Sequence, residues 1–162
     1  MAVCVACTKP VAHPTFSNLK EEQQFALERV QLTHQQYPTA LWEAQATRIE
    51  GDFNQARLFK VVLKRTPLKA NTPQVHIKAA EGFADFERGD AWFTQPVLRT
   101  PHNKGEITSP KAVFSEQAQT IQLEGPLHYR SMGMLLDAEK GHVDLKEETV
   151  FLEGAVQGRL SF

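Results

Sequence analysis

The chain repeats itself with a period of about 30 residues, and this repeat limits the available folds more than any other feature of the sequence. Residues 107–127, ITSPKAVFSEQAQTIQLEGPL, lie over residues 136–156, LDAEKGHVDLKEETVFLEGAV, without a gap. Residues 77–97, IKAAEGFADFERGDAWFTQPV, form a third copy. Residues 42–62, WEAQATRIEGDFNQARLFKVV, form a weaker fourth, followed by the turn-rich stretch KRTPLKANTP. Regular self-similarity of this length marks one supersecondary unit used several times.

Aligned positions show what the unit is. It opens on a large apolar residue (Trp42, Ile77, Ile107, Leu136), and two residues on comes a small one (Ala44, Ala79, Ser109, Ala138). Three further on is a second small set (Thr47, Gly82, Ala112, Gly141), and then Ile49, Ala84, Phe114 and Val143. A polar segment follows: EGDFNQ, DFERGD, SEQAQ or DLKEE. The chain then returns through Ala56, Ala91, Ile121 and Val150 to Leu58, Phe93, Leu123 and Leu152. Period-two alternation around a polar turn describes a β-hairpin. The three-residue step inside the first arm predicts a bulge there. Upstream, FALERVQLTHQ (25–35) matches a second arm, with Leu27, Val30 and Leu32 in the places of Leu58, Val61 and Leu63. It reads as a strand, with a short helix over NLKEEQQFALERV as the alternative.

The expected fold is therefore all-β: roughly four and a half hairpins in succession. One hairpin cannot bury its own apolar face, but a succession of them can, by rolling into two facing sheets or a partly open barrel. One inward layer of every unit is small, which leaves two readings open. Either the interior keeps space, or the small residues let the layers close into a filled scaffold.

Net charge is −1, so no basic excess points to nucleic acid. Six histidines show no metal-ligand spacing, and no nucleophile elbow or phosphate loop occurs. No catalytic residue, cofactor or metal ligand is expected. Glu124 and Glu153 recur at equivalent L-E-G turns, which repetition explains without acid–base chemistry. Lys64, Arg65, Lys69, His102 and Lys104 read as solvated loop charge, with contact to lipid phosphates as the alternative. The two cysteines, Cys4 and Cys7, both fall in MAVCVAC at the start. Small residues before Cys7 and the polar stretch after it suit the end of a lipoprotein signal, although the apolar run is short for one. Residues 1–20 are read as anchor remnant and linker, with Cys7 the lipid-anchor candidate, and residues 21–162 as the folded domain.

In their order (an N-terminal strand, the WEAQATRIEGD unit, a linking loop, then the units ending in L-E-G) these segments resemble LptC. This is the periplasmic bridge family of bacterial lipopolysaccharide export, whose sibling LptA shares the unit. The resemblance spans about residues 25–160. It implies an open, twisted β-jellyroll built from repeated hairpins, with a trough that holds lipopolysaccharide acyl chains. It also implies partners at the two sheet edges: the inner-membrane lipopolysaccharide ABC transporter and an LptA-like periplasmic protein. The implied location is the periplasm, attached to the inner membrane. On this expectation the lipid-lining residues are Trp42, Ile49, Leu58, Ile77, Ala84, Phe93, Ile107, Phe114, Leu123, Leu136, Val143 and Leu152. The final strand, with Val150, Leu152, Val156 and Leu160, is the expected docking edge.

Overall fold

The structure, a computed structural model, describes residues 25–36, 40–69, 74–100 and 104–160. Cys7 and the rest of the expected linker lie outside them. The strands are β1 (Phe25–Gln36), β2 (Ala40–Gly51), β3 (Gln55–Pro67), β4 (Val75–Asp85), β5 (Asp90–Thr94) and β6 (Val97–Thr100). They continue with β7 (Gly105–Thr108), β8 (Lys111–Ser115), β9 (Thr120–Ser131), β10 (Met134–Asp144), β11 (Thr149–Glu153) and β12 (Gln157–Leu160). All pairings are antiparallel and make one 12-stranded sheet. The all-β expectation holds, and residues 25–36 are strand rather than helix. Leu27 of β1 and Leu58 of β3 both face Ile49 of β2, and Leu32 and Leu63 both face Ala44, as the sequence match requires.

Several short strands are halves of one pass. β4 pairs β6 through residues 76–78 and β5 through residues 81–85. β9 is shared in the same way by β7 and β8, and β10 by β11 and β12. The sheet is thus a simple meander whose passes follow sequence order: β1, β2, β3, β4, β5–β6, β7–β8, β9, β10, β11–β12. Its edges, β1 and β11–β12, do not pair with each other, so it is open.

Every pass is interrupted along one line. Carried through the registers, this line runs through Arg29, Thr47, Lys60, Ala80, Gln95, Pro110, Gly125, Glu139 and Gly154. Arg29, Lys60, Gln95 and Gly154 have positive φ there, an arrangement that kinks a strand. The Gln95 amide donates to the Pro110 carbonyl at 2.8 Å, so the line is pinned as well as bent. The sheet folds over on this crease into two facing halves. The turn half contains β5, β8 and β11 and ends at the four tight turns; the opposite half contains β6, β7 and β12.

The crease explains the three-residue step. Inward positions run 75, 77, 79 and then 82 in β4. They run 107, 109 and then 112 through β7–β8, and 138 and then 141 in β10. The weakest copy departs from the expectation. In β2 the step falls between Ala46 and Ile49, while Thr47 is exposed and its Oγ1 donates to the Phe59 carbonyl at 3.1 Å. Alignment on the hairpin turns misplaced this crease by two residues. A second correction concerns L-E-G. Gly125 and Gly154 do not sit in turns but on the crease, in mid-pass. The turns themselves are the expected polar segments. Asp52 and Asp144 each accept two backbone N–H bonds at 2.8–2.9 Å, and Asp85 accepts one at 3.0 Å.

Space around the two crease glycines differs. A Cβ at Gly125 would collide with the backbone carbonyl of Glu139, whereas at Gly154 (φ +89°) it would meet the movable Glu139 side chain. We expect Gly125→Ala to cost about 2–4 kcal/mol and Gly154→Ala about 1 kcal/mol. Urea midpoints at unchanged m-value check the order, and equal costs would contradict the crease assignment.

Candidate functional site

The apolar faces of the two halves meet in one continuous cluster. Ile77, Leu98, Ile107, Ile121 and Leu127 have essentially no exposed surface, so the middle of the interior is filled by side chains. Toward β1 the halves diverge. There a cavity of about 280 Å³ lies between Trp42, Val61 and Leu63 of the opposite half and Leu58, Ala84, Ala91, Phe93 and Phe114 of the turn half. Trp42 and Phe114 touch across it, their ring centroids 4.4 Å apart. Asp85, Asp90 and Glu116 stand among the lining residues as its acidic members. The volume is close to the lower end of small-ligand pockets, and apolar cavities of even half this size take hydrocarbon guests.

Of the twelve expected lining residues, Trp42, Leu58, Ala84, Phe93 and Phe114 border this cavity. Ile49, Ile77, Ile107, Leu123 and Val143 are buried in the same cluster, and Leu136 and Leu152 pack half-buried against it. Leu32, Val61, Leu63 and Ala91 line the cavity and were not in the expected set. Val61, Leu63 and Ala91 sit at inward positions of the hairpin alternation, so the signal for them was present. At the expected docking edge, β11 and β12 are the last strands of the sheet. Val150 and Leu152 turn toward the core, while Val156 and Leu160 are exposed.

A polar contact joins the two halves at their lips. Arg65, near the end of β3, is 5% exposed and belongs to the strand, not to a solvated loop as the composition of that stretch suggested. Lys64 beside it is also in β3, while His102 lies outside the described residues. Arg65 Nη1 donates to Gln74 Oε1, and Nη2 donates to Gln119 Oε1 of the turn half at 3.2 Å. Gln74 Nε2 donates to the carbonyl of Leu145 at 2.9 Å. The guanidinium also stands 5.6 Å from the Trp42 ring centroid, tying this latch to the cavity wall. Burial pulls the Arg65 pKa down and the Glu148 charge partly restores it. Even so, an arginine stays protonated.

No family model matches the chain. No curated protein matches it. Among solved structures it is similar to one from Pseudomonas aeruginosa described as LptH, the LptA-homologous periplasmic component of the lipopolysaccharide transport device. The identity is 6% and the TM-score 0.34, over 85% of this chain and 94% of that one. A score this low leaves the functional reading to the geometry and the sequence. No helix among the described residues is long and apolar enough to cross a membrane.

A buried cation left with fewer acceptors is costlier than no cation at all. Gln74→Leu should therefore destabilise by about 2–3 kcal/mol, and adding Arg65→Met to that variant should recover part of the loss. Chemical unfolding of the single and double variants measures this. Additive losses would show that the latch is not a coupled unit.

Proposed function

We propose that this chain holds the acyl chains of a lipid between the halves of its creased sheet, as a non-enzymatic segment of lipopolysaccharide export. The observation that carries the reading is the apolar cavity against Trp42 and Phe114, at the end where the two halves part. Each methylene moved from water into such a surface contributes about 0.8 kcal/mol, so acyl chains bind without a catalytic group. Contacts of this kind are non-directional, which lets a chain slide. The twelve lining residues named from the sequence are the proposed path. Among the described residues its open part is the cavity bordered by Leu32, Trp42 and Phe114, and passage through the filled middle requires the halves to separate about the crease.

The finer reading is an LptC-type role. Lipopolysaccharide arrives from the inner-membrane ABC transporter at one sheet edge and leaves to an LptA-like periplasmic protein at the other. Support comes from the order of the repeats and from the two unpaired edges, β1 and β11–β12. Val150, Leu152, Val156 and Leu160 belong to the second of these edges. Periplasmic placement at the inner membrane, with Cys7 as a lipid anchor, belongs to the same reading. A filled structural scaffold is the rival, favoured by the solid packing around Ile77, Ile107 and Leu127.

Fluorescence separates the two. Trp92 packs against Phe83, with ring centroids 5.5 Å apart, and does not line the cavity. In a Trp92→Phe background the only tryptophan is therefore Trp42. Brominated fatty acid should quench it saturably, and Ala84→Phe should weaken binding roughly tenfold or more by filling the cavity. A photo-crosslinker at position 114 should form adducts with lipopolysaccharide in cells. Absence of both quenching and adducts would leave the scaffold.

A further inference from the structure

The outer face of the opposite half carries a row of charged side chains. Lys64 (β3), His76 (β4), Arg99 (β6) and Glu106 (β7) are successive register partners, so they form one row across four neighbouring strands. Lys78 stands one step nearer the crease on the same face of β4, and Lys104 immediately precedes β7. Lys64, His76, Arg99, Lys104 and Glu106 converge with Thr100 on a surface pocket of about 400 Å³. Arg99 pairs with Glu106, Nε to Oε2 at 2.8 Å. Lys64 and Lys104 have no ion-pair partner among the described residues. On the turn half several outward cations are paired: Arg57 with Glu81, Lys111 with Glu124, and Lys140 with Glu153. Lys64 and Lys104 thus bring two unmatched positive charges to one concave place.

We propose that this pocket binds a phosphate monoester, with the ammonium groups of Lys64 and Lys104 balancing its two negative charges and the Arg99–Glu106 pair forming its wall. A dianion fits two unpaired ammoniums better than a carboxylate or a phosphodiester does, because either of those leaves one of them uncompensated. His76 reports on the same field. Burial first, then Lys78, Lys64 and Arg99, hold its pKa below the usual 6.5. An anion seated among these cations reverses the charge contribution and favours the imidazolium. The phosphate could belong to a lipid headgroup or be free. The inference goes beyond the acyl-chain reading and does not depend on it.

The test is an NMR titration of His76 in the full chain, alone and with inorganic phosphate, dodecyl phosphate or uncharged dodecyl maltoside. Either phosphate should raise the His76 midpoint by about one pH unit, and the maltoside should not. The variant K64Q/K104Q, whose changes lie at the surface, should keep its urea midpoint and bind phosphate at least about tenfold more weakly. Tighter binding of dodecyl phosphate than of inorganic phosphate identifies a headgroup site, and equal binding a site for free phosphate; both uphold the pocket. A His76 midpoint unmoved by either phosphate, or a variant that binds as well as the parent, overturns it. Because the trough is read separately, by brominated fatty acid quenching of Trp42, failure of the pocket and failure of the trough are distinguishable.

Discussion

Backbone hydrogen bonding governs this molecule, because a sheet can be folded over only where its ladder is interrupted. A buried amide or carbonyl without a partner is costly, so an isolated break in one pass would penalise both neighbours. The chain meets this by breaking every pass on one line. The means differ from pass to pass. Arg29, Lys60 and Gln95 adopt left-handed backbone, Gly154 does the same without a Cβ, and prolines, which lack an N–H, follow or occupy the line at Pro96, Pro110 and Pro126. The chemistry is interchangeable because only the register is selected.

From the crease follow the two halves, and from the halves their shared apolar interior. The period-two alternation keeps apolar side chains on the inner face up to the line. The extra residue at the line keeps them on the inner face beyond it. Without it, the outer residues of one half would be turned into the interior of the other. This is why the repeated units share a three-residue step more faithfully than any side chain.

Much of this was legible in the sequence. Polar segments marked the turns, alternation marked the arms, and the step marked the bend in three of the four units. It failed at Thr47 because a short polar side chain on a weak copy aligns as well inward as outward, and only its bond to Phe59 decides. Glu-Gly read as a turn because glycine marks turns and mid-strand kinks alike. The contacts that shape the cavity, and the latch, were not legible. Trp42 meets Phe114, and Arg65 meets Gln119, only after the sheet has folded, and no local pattern carries that information. Nor does a stretch such as KRTPLKANTP announce that its arginine is buried while the lysine before it faces out.

The balance between filled and open interior gives the trough its character. Leaving apolar walls out of contact forfeits packing on the order of several kcal/mol for a cavity of 280 Å³, an upper bound since its mouth is open. A chain that tolerates this loss at one end, while filling the middle with Ile77, Ile107 and Leu127, leaves an apolar space whose lost packing a hydrocarbon guest would restore. The lips are closed by a buried arginine held by two glutamines rather than by more leucines. Such a contact is specific in geometry yet weak in net energy, because desolvation offsets most of its attraction. Apolar packing therefore sets the strength of the closed state, and the latch sets where the two lips meet. An acyl chain that replaced the inner apolar contacts with its own would leave only the latch to hold the lips together.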